Sequence, residues 1–138
     1  MAGEITMAAQ ISCLATNFNE VINPGQISID LPSGPVLTGD SGLQTLSTAS
    51  TGADLNVGNL SNSQDGGIYY FRNTGTVASQ NIEVGEVIGG VFYAWLLLLP
   101  GEFSVGRLSS RYPGANALRV RSTAGTPAIQ YRIFAGAL

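Results

Sequence analysis

Histidine and lysine are both missing from these 138 residues. Without histidine there is no Ser-His-Asp triad, no Cys-His dyad and no imidazole metal ligand. Without lysine there is no amine to replace the missing base. Cysteine occurs once, at Cys13, so no internal disulfide is available; this agrees with synthesis in a reducing compartment. Cys13 sits in an alternating apolar segment with no basic neighbour to lower its pKa, which points to packing, not nucleophilicity. Charge is scarce as well: 11% of residues, against roughly 25% in an ordinary globular chain. Met1 to Thr6 has no basic n-region, and Glu4 interrupts it, so no signal peptide is expected. The longest apolar run, Val91 to Leu99, is nine residues, well short of the ~20 a membrane helix needs. No membrane partner is expected.

Other motifs carry little chemistry. "TGDSGL" (Thr38 to Leu43) has the look of a serine-protease nucleophile loop, but with no base in the chain it is read as a turn. Glu83 and Glu86 are separated by Gly85 and read as solvated carboxylates, not a glycosidase pair. "NSQDGG" (Asn62 to Gly67) lacks the ligand series of a calcium loop. "NLS" (Asn59 to Ser61) is a glycosylation sequon by pattern alone, and no phosphate-binding or dinucleotide fingerprint is present. The expectation is a protein that is not an enzyme and holds no cofactor and no metal.

What is present is apolar and small-polar. Hydrophobic residues make up 44% of the chain, enough to build a core at this length. The polar remainder is largely Ser, Thr, Asn and Gly, a weakly hydrated surface that suits packing into an assembly. All six basic residues are arginine, and all lie at or beyond Arg72. Residues 1–69 carry six carboxylates and no base (0 − 6 = −6). Residues 70–138 carry six arginines and three carboxylates (6 − 3 = +3), giving the net −3. Arginine without lysine suits fixed carboxylate partners. Those partners are either across the sheet of one chain or across subunits. The net negative charge argues against nucleic acid, although Arg107, Arg111, Arg119 and Arg121 are candidates for a local positive patch and for ion pairs with another subunit or partner protein.

Turn signals recur along the chain: "NPG" at Asn23, "PSGP" at Pro32, "GDSG" at Gly39, "QDGG" at Gln64, "NTG" at Asn73, "IGG" at Ile88, "PG" at Pro100, "YPG" at Tyr112 and "AGTP" at Ala124. Short strand-type segments lie between them, which is the pattern of an all-β sandwich or barrel with no long helix. Alternation places Ile5 to Ala15 in a strand, with a helix over Ile11 to Ile22 as the competing fit. It sets Ile27, Ile29 and Leu31 on one face of the next strand. Tyr69 and Phe71 stand opposite Tyr70 and Arg72. Ile82 and Val84 stand opposite Glu83, and Leu118 and Val120 opposite Arg119 and Arg121. Ile129, Tyr131 and Ile133 stand opposite Gln130, Arg132 and Phe134. Phe103 and Val105 are read as inward. That makes about eight strands in a single domain over 1–138, with a Gly/Ser/Thr/Asn-rich loop or arm at 33–67 whose strands, such as "LQTLS" and "ADLNV", are weak.

The run 91–99 breaks the alternation. Regular strand geometry sends Phe92, Ala94, Leu96 and Leu98 to one face and Tyr93, Trp95, Leu97 and Leu99 to the other. Both faces are then apolar, and the second holds the chain's single tryptophan. An outward face of that kind marks a contact surface. Another subunit or the 33–67 arm are the two candidates to cover it.

The stretch "GGIYYFRNTGTVASQNIEVGEVIGGVFYAWLLLLPGEFSVGRLSS", followed by "ANALRVRSTAGTPAIQYRIFA", is similar to small virion proteins of tailed bacteriophages. The shared features are an "I-E-V-G" strand, then "F-Y-x-x-L-x-L-x-P-G-E", a short strand ending Arg-Leu, and a late strand close to "Y-x-I-F". The likeness covers Gly66 to Ala135, and the opening is more loosely similar. "WLLLL" departs from the pattern, where polar and apolar residues alternate after the aromatic pair. The resemblance implies a jelly-roll-like antiparallel β-sandwich on a capsid surface, made in the host cytoplasm. The expected role is a decoration or cement protein, forming a homo-oligomer (a trimer) that bridges the major capsid protein. Tyr93, Trp95, Leu97 and Leu99 are the expected subunit interface, and the 33–67 stretch or the N-terminal arm the expected clasp. A tail or fibre component, or a glycan-binding module with Tyr69, Tyr70, Tyr93 or Trp95 stacked on sugars, is the alternative.

Overall fold

The structure is a computed structural model that describes residues 4–8, 11–15, 18–22, 26–30, 38–56, 67–108 and 118–135, with side chains over 41–56, 68–108 and 118–133. The described residues are all-β, without a helix. None therefore offers a helix long and apolar enough to cross a membrane. Internal contacts divide the chain into two compact units, Met1–Pro35 and Val36–Leu138.

In the first unit, β1 (Glu4–Ala8) pairs antiparallel with β4 (Gln26–Asp30), and β2 (Ile11–Ala15) with β3 (Phe18–Ile22). The alternation across Ile5 to Ala15 is thus divided between two short strands with different partners. The helical fit over Ile11 to Ile22 gives way to the β2–β3 pair.

The second unit holds eight strands: β5 (Thr38–Thr45), β6 (Ala53–Asp54), β7 (Gly67–Asn73), β8 (Ile82–Ile88), β9 (Val91–Leu98), β10 (Phe103–Leu108), β11 (Arg119–Ser122) and β12 (Ala128–Ala135). The pairings β5–β12, β6–β11, β7–β10 and β8–β9 are all antiparallel and nested one inside the next. They describe one long hairpin whose tip is Gly89–Gly90. Both tip residues have positive φ, 58° and 83°, the requirement of the two-residue turn that matches strand twist. Two further pairings, β7–β12 and β8–β11, roll this hairpin into two four-stranded antiparallel sheets. Their orders are β10-β7-β12-β5 (the first sheet) and β6-β11-β8-β9 (the second sheet). First strand with last, second with seventh, third with sixth and fourth with fifth is the jelly-roll arrangement.

The core lies between the sheets. Phe71, Ile129, Tyr131 and Ile133 come from the first, and Ile82, Val84, Leu98 and Val120 from the second. Leu46, Leu55, Leu108 and Leu118 fill in around them. Each full burial of such a side chain stabilises by about 1.5–3 kcal/mol. The alternation read in β7, β8, β11 and β12 places these residues correctly.

Two expectations need correction. "TGDSGL" is not a turn: Thr38–Thr45 is the outer strand of the first sheet. Its Gly42 lies opposite Tyr131, whose ring fills the space a Cβ would need. Within 33–67, β5 and β6 overlap the weak strands read at "LQTLS" and "ADLNV". Phe103 and Val105 are not inside: they are 61% and 41% exposed. The inward positions of β10 are Ser104 and Gly106, opposite Phe71 and Tyr69. Tyr69 takes the volume there, with its hydroxyl 3.3 Å from Ser104 Oγ and its ring in the place of a Gly106 side chain.

Candidate interaction surface

The register of β8 against β9 slips at one point. Val84 faces Leu96, but Gly85 faces Ala94, so Trp95 is an extra residue without a partner on β8. This is a β-bulge, and it reverses the facing of everything N-terminal to it on β9. Glycine is required at 85, where a Cβ would lie 2.1 Å from the carbonyl oxygen of Tyr93.

The bulge overturns the expected grouping of Tyr93, Trp95, Leu97 and Leu99 on one outward face. Leu97, opposite Glu83, does point outward. Phe92 and Ala94 join it there, and Tyr93 turns to the side of Leu96 and Leu98. Trp95 reaches to the first sheet, meeting the Tyr69 ring edge-on at 5.9 Å, while Tyr69 stacks on Phe71 at 4.6 Å. Leu99 lies beyond the end of the strand. All four side chains remain about half-exposed in the chain.

Burial falls steadily toward the hairpin tip. On the core-facing side, Ile82, Val84 and Leu98 are buried, Leu96 is half-buried, and Tyr93, Val91 and Ile88 are exposed. The β8–β9 hairpin therefore runs out past the cover of the first sheet. Its inner side presents Ile88, Val91 and Tyr93, continued by Trp95 at 43% exposure. Glu86, opposite Tyr93, is the single charge between Val84 and Leu99.

The outer face of the second sheet is closed by ion pairs. Arg119 bonds Asp54 (2.5 Å) and donates to the Thr51 and Gly52 carbonyls (3.2 and 2.7 Å). Arg121 bonds Glu83 (2.5 Å), donates to the Ser50 carbonyl (2.6 Å) and lies 4.4 Å from the Phe92 ring centroid. Two of the four arginines expected to pair with another chain are thus committed within their own. The cause is register: Arg119 stands opposite Asp54, and Arg121 opposite Glu83. Arg111 lies outside the described residues, as do the sequon at 59–61 and residues 62–66 of the calcium-like loop.

The outer face of the first sheet is different. Reading across the strands from β10 to β5, one row holds Phe103, Arg72, Gln130 and Leu43, and the next Val105, Tyr70, Arg132 and Ser41. Arg107 follows on β10. Tyr70 stacks on Phe103 at 6.0 Å. Arg72, Arg107 and Arg132 are exposed and form no ion pair among the described residues. No carboxylate occupies an outward position in these rows. Of the three, Arg72 and Arg132 were not among the expected pairing residues; their places on the outward faces of alternating strands, opposite Gln130 and Tyr70 in register, were the available signal.

Asn73 holds the neighbouring end of the sandwich together. It is fully buried. Its Nδ2 donates to the Gln80 and Leu98 carbonyls (2.8 and 3.1 Å), and its Oδ1 accepts from Gly75 N–H (2.8 Å). Its backbone bonds Gly101 and Glu102 in the β9–β10 turn, and Glu102 caps that turn by accepting from Leu99 N–H (2.8 Å). Among the described residues, no group of three or more Cys, Asp or Glu side chains is arranged to hold a metal ion. No protein-family model, curated protein or solved structure matches the chain.

Proposed function

We propose that this chain is a structural virion protein of a tailed phage: a capsid decoration, or cement, protein whose copies associate as trimers and bridge neighbouring copies of the major capsid protein. The observation that carries the reading is the β8–β9 hairpin. It projects from the sandwich with Ile88, Val91, Tyr93 and Trp95 uncovered on its inner side. An apolar ridge of that kind gains stability when protein covers it, at ~25 cal/mol per Å² removed from water. The likeness of Gly66 to Ala135 to phage virion proteins supplies the setting. The jelly-roll sandwich is compatible with it, though a fold alone does not assign a role. In a shell, many modest contacts act together, and multivalency converts them into a strong clamp.

Purified particles carrying the protein are expected to burst at a higher temperature than particles stripped of it, followed by dye access to the genome on heating. Equal bursting temperatures overturn the cement role. A Trp95→Asp chain is expected to confer less protection than the wild type at equal added concentration.

A further inference from the structure

We propose that the outer face of the first sheet is a binding platform for an acidic polysaccharide, a chain of sugars that bear carboxylates. Such a site stands whether or not copies of this chain coat a shell. Tyr70 is at the centre of the platform. Arg132 lies beside it in register, Arg72 follows it by two residues on β7, and Arg107 is its diagonal neighbour on β10. Phe103 extends the aromatic surface, 61% exposed and stacked on Tyr70 at 6.0 Å. Gln130 stands beside Arg72.

Charge, ring surface and size select the ligand. Arg72 and Arg132 are diagonal neighbours on adjacent strands, and like charges at that spacing repel. No described carboxylate occupies an outward position in these rows, and none of the three arginines forms an ion pair among the described residues. A carboxylate set between guanidinium forks accepts charge-assisted hydrogen bonds and relieves that repulsion. The face of an aromatic ring is electron-rich, and the C–H bonds on the flatter side of a sugar ring pack against it. The Gln130 amide can both donate to and accept from sugar hydroxyls. Four strands at ~4.8 Å spacing and three rows ~7 Å apart make a patch on the order of 200 Å². A stable protein interface takes ~800 Å² from each partner, whereas a few sugar residues cover this patch. Nucleic acid is a poorer match. Its phosphate at every nucleotide calls for a longer basic track, and this chain carries a net charge of −3.

The test titrates the full-length chain by calorimetry with hexagalacturonate as the probe. The wild type is expected to bind it with an affinity that falls as salt rises. Neutral maltohexaose is expected to bind about tenfold more weakly or worse. Arg72→Gln with Arg132→Gln, and separately Phe103→Ala, change exposed positions only, and each is expected to lose about tenfold in affinity. Circular dichroism and thermal melting establish that both variants fold. Tyr93→Ala, on the ridge that carries no arginine, is expected to bind as the wild type does. A wild type that does not bind hexagalacturonate overturns the inference, and so do folded platform variants that bind it undiminished. Equal or tighter binding of oligothymidylate or of polyglutamate at matched charge also overturns it, because the face then takes another polyanion. A loss confined to Tyr93→Ala overturns it by moving the site to the ridge. None of these outcomes alters the bursting temperature of particles, so the cement role stands or falls separately.

Discussion

The outer faces of the two sheets both carry arginines, yet they are built for different ends. On the second sheet, Arg119 and Arg121 face carboxylates across the ladder and are wrapped by the carbonyls of Ser50, Thr51 and Gly52. On the first sheet, Arg72 and Arg132 face Gln130 and Tyr70, and Arg107 stands at the outer strand. The same residue type is a strut on one face and an open donor on the other. What decides is the residue opposite in register, not the count of charges along the chain. A closed guanidinium contributes to folding, and an open one is available to a partner.

The sharpest way to break the contrast is to remove the bulge that sets up the second face. Gly85→Ala drives a methyl into the Tyr93 carbonyl oxygen and forces β9 to shift register, which takes Phe92 away from Arg121. A loss of about 3 kcal/mol or more is expected in urea denaturation, in the range of overpacking with backbone displacement. Next in size is Arg119→Met. It leaves the Thr51 and Gly52 carbonyls and Asp54 without their donor, and about 1–3 kcal/mol is expected from the same measurement. Asp54→Asn tests the partner alone. With 65% of its side chain exposed, it is expected to cost no more than about 0.5 kcal/mol. The smallest effect on folding belongs to the open face. Arg72→Gln and Arg132→Gln are each expected to leave stability within about 0.5 kcal/mol. They are expected instead to weaken the binding of hexagalacturonate and to flatten its dependence on salt. A loss of stability comparable to that of Arg119→Met would erase the distinction between the faces.

Much of the sandwich was legible in sequence, for a definite reason. Along Phe71–Arg72 of β7, Ile82–Val84 of β8, Arg119–Arg121 of β11 and Ile129–Ile133 of β12, large apolar residues point inward and polar ones outward, so period-two alternation reports the fold directly. The Gly-Gly tip at 89–90 was equally plain. Three things were hidden. A bulge adds a residue to one strand only, and an unbroken apolar run such as Val91 to Leu99 has no polar marker to show the slip. In β10 the core volume is filled by Tyr69 from the adjacent strand, so the inward positions are Ser104 and Gly106, and alternation reads backwards. In β5, glycine marks room for Tyr131, whose hydroxyl donates to the Asn56 carbonyl, although glycine and aspartate together read as a turn. Of the residues expected at a subunit interface, Tyr93 and Trp95 lie on the ridge. Leu97 does not, because its register is set by Glu83 on the other face, and Leu99 lies past the end of the strand. The platform around Tyr70 followed from residues whose alternation was seen but whose lack of carboxylate partners among the described residues only the strand order reveals.

The concentric pairing of the second unit also bears on how the chain reaches its native state. The β8–β9 pair closes a loop of two residues, so its loop-closure cost is small, and each later pair closes only the short remainder beyond the one inside it. The contact between β5 and β12, which span the unit from Thr38 to Ala135, would be very slow if attempted first. Assembled from the tip outward, it arrives last and inexpensively. Lengthening the Gly89–Gly90 connection is therefore expected to retard refolding far more than the same insertion between β11 and β12.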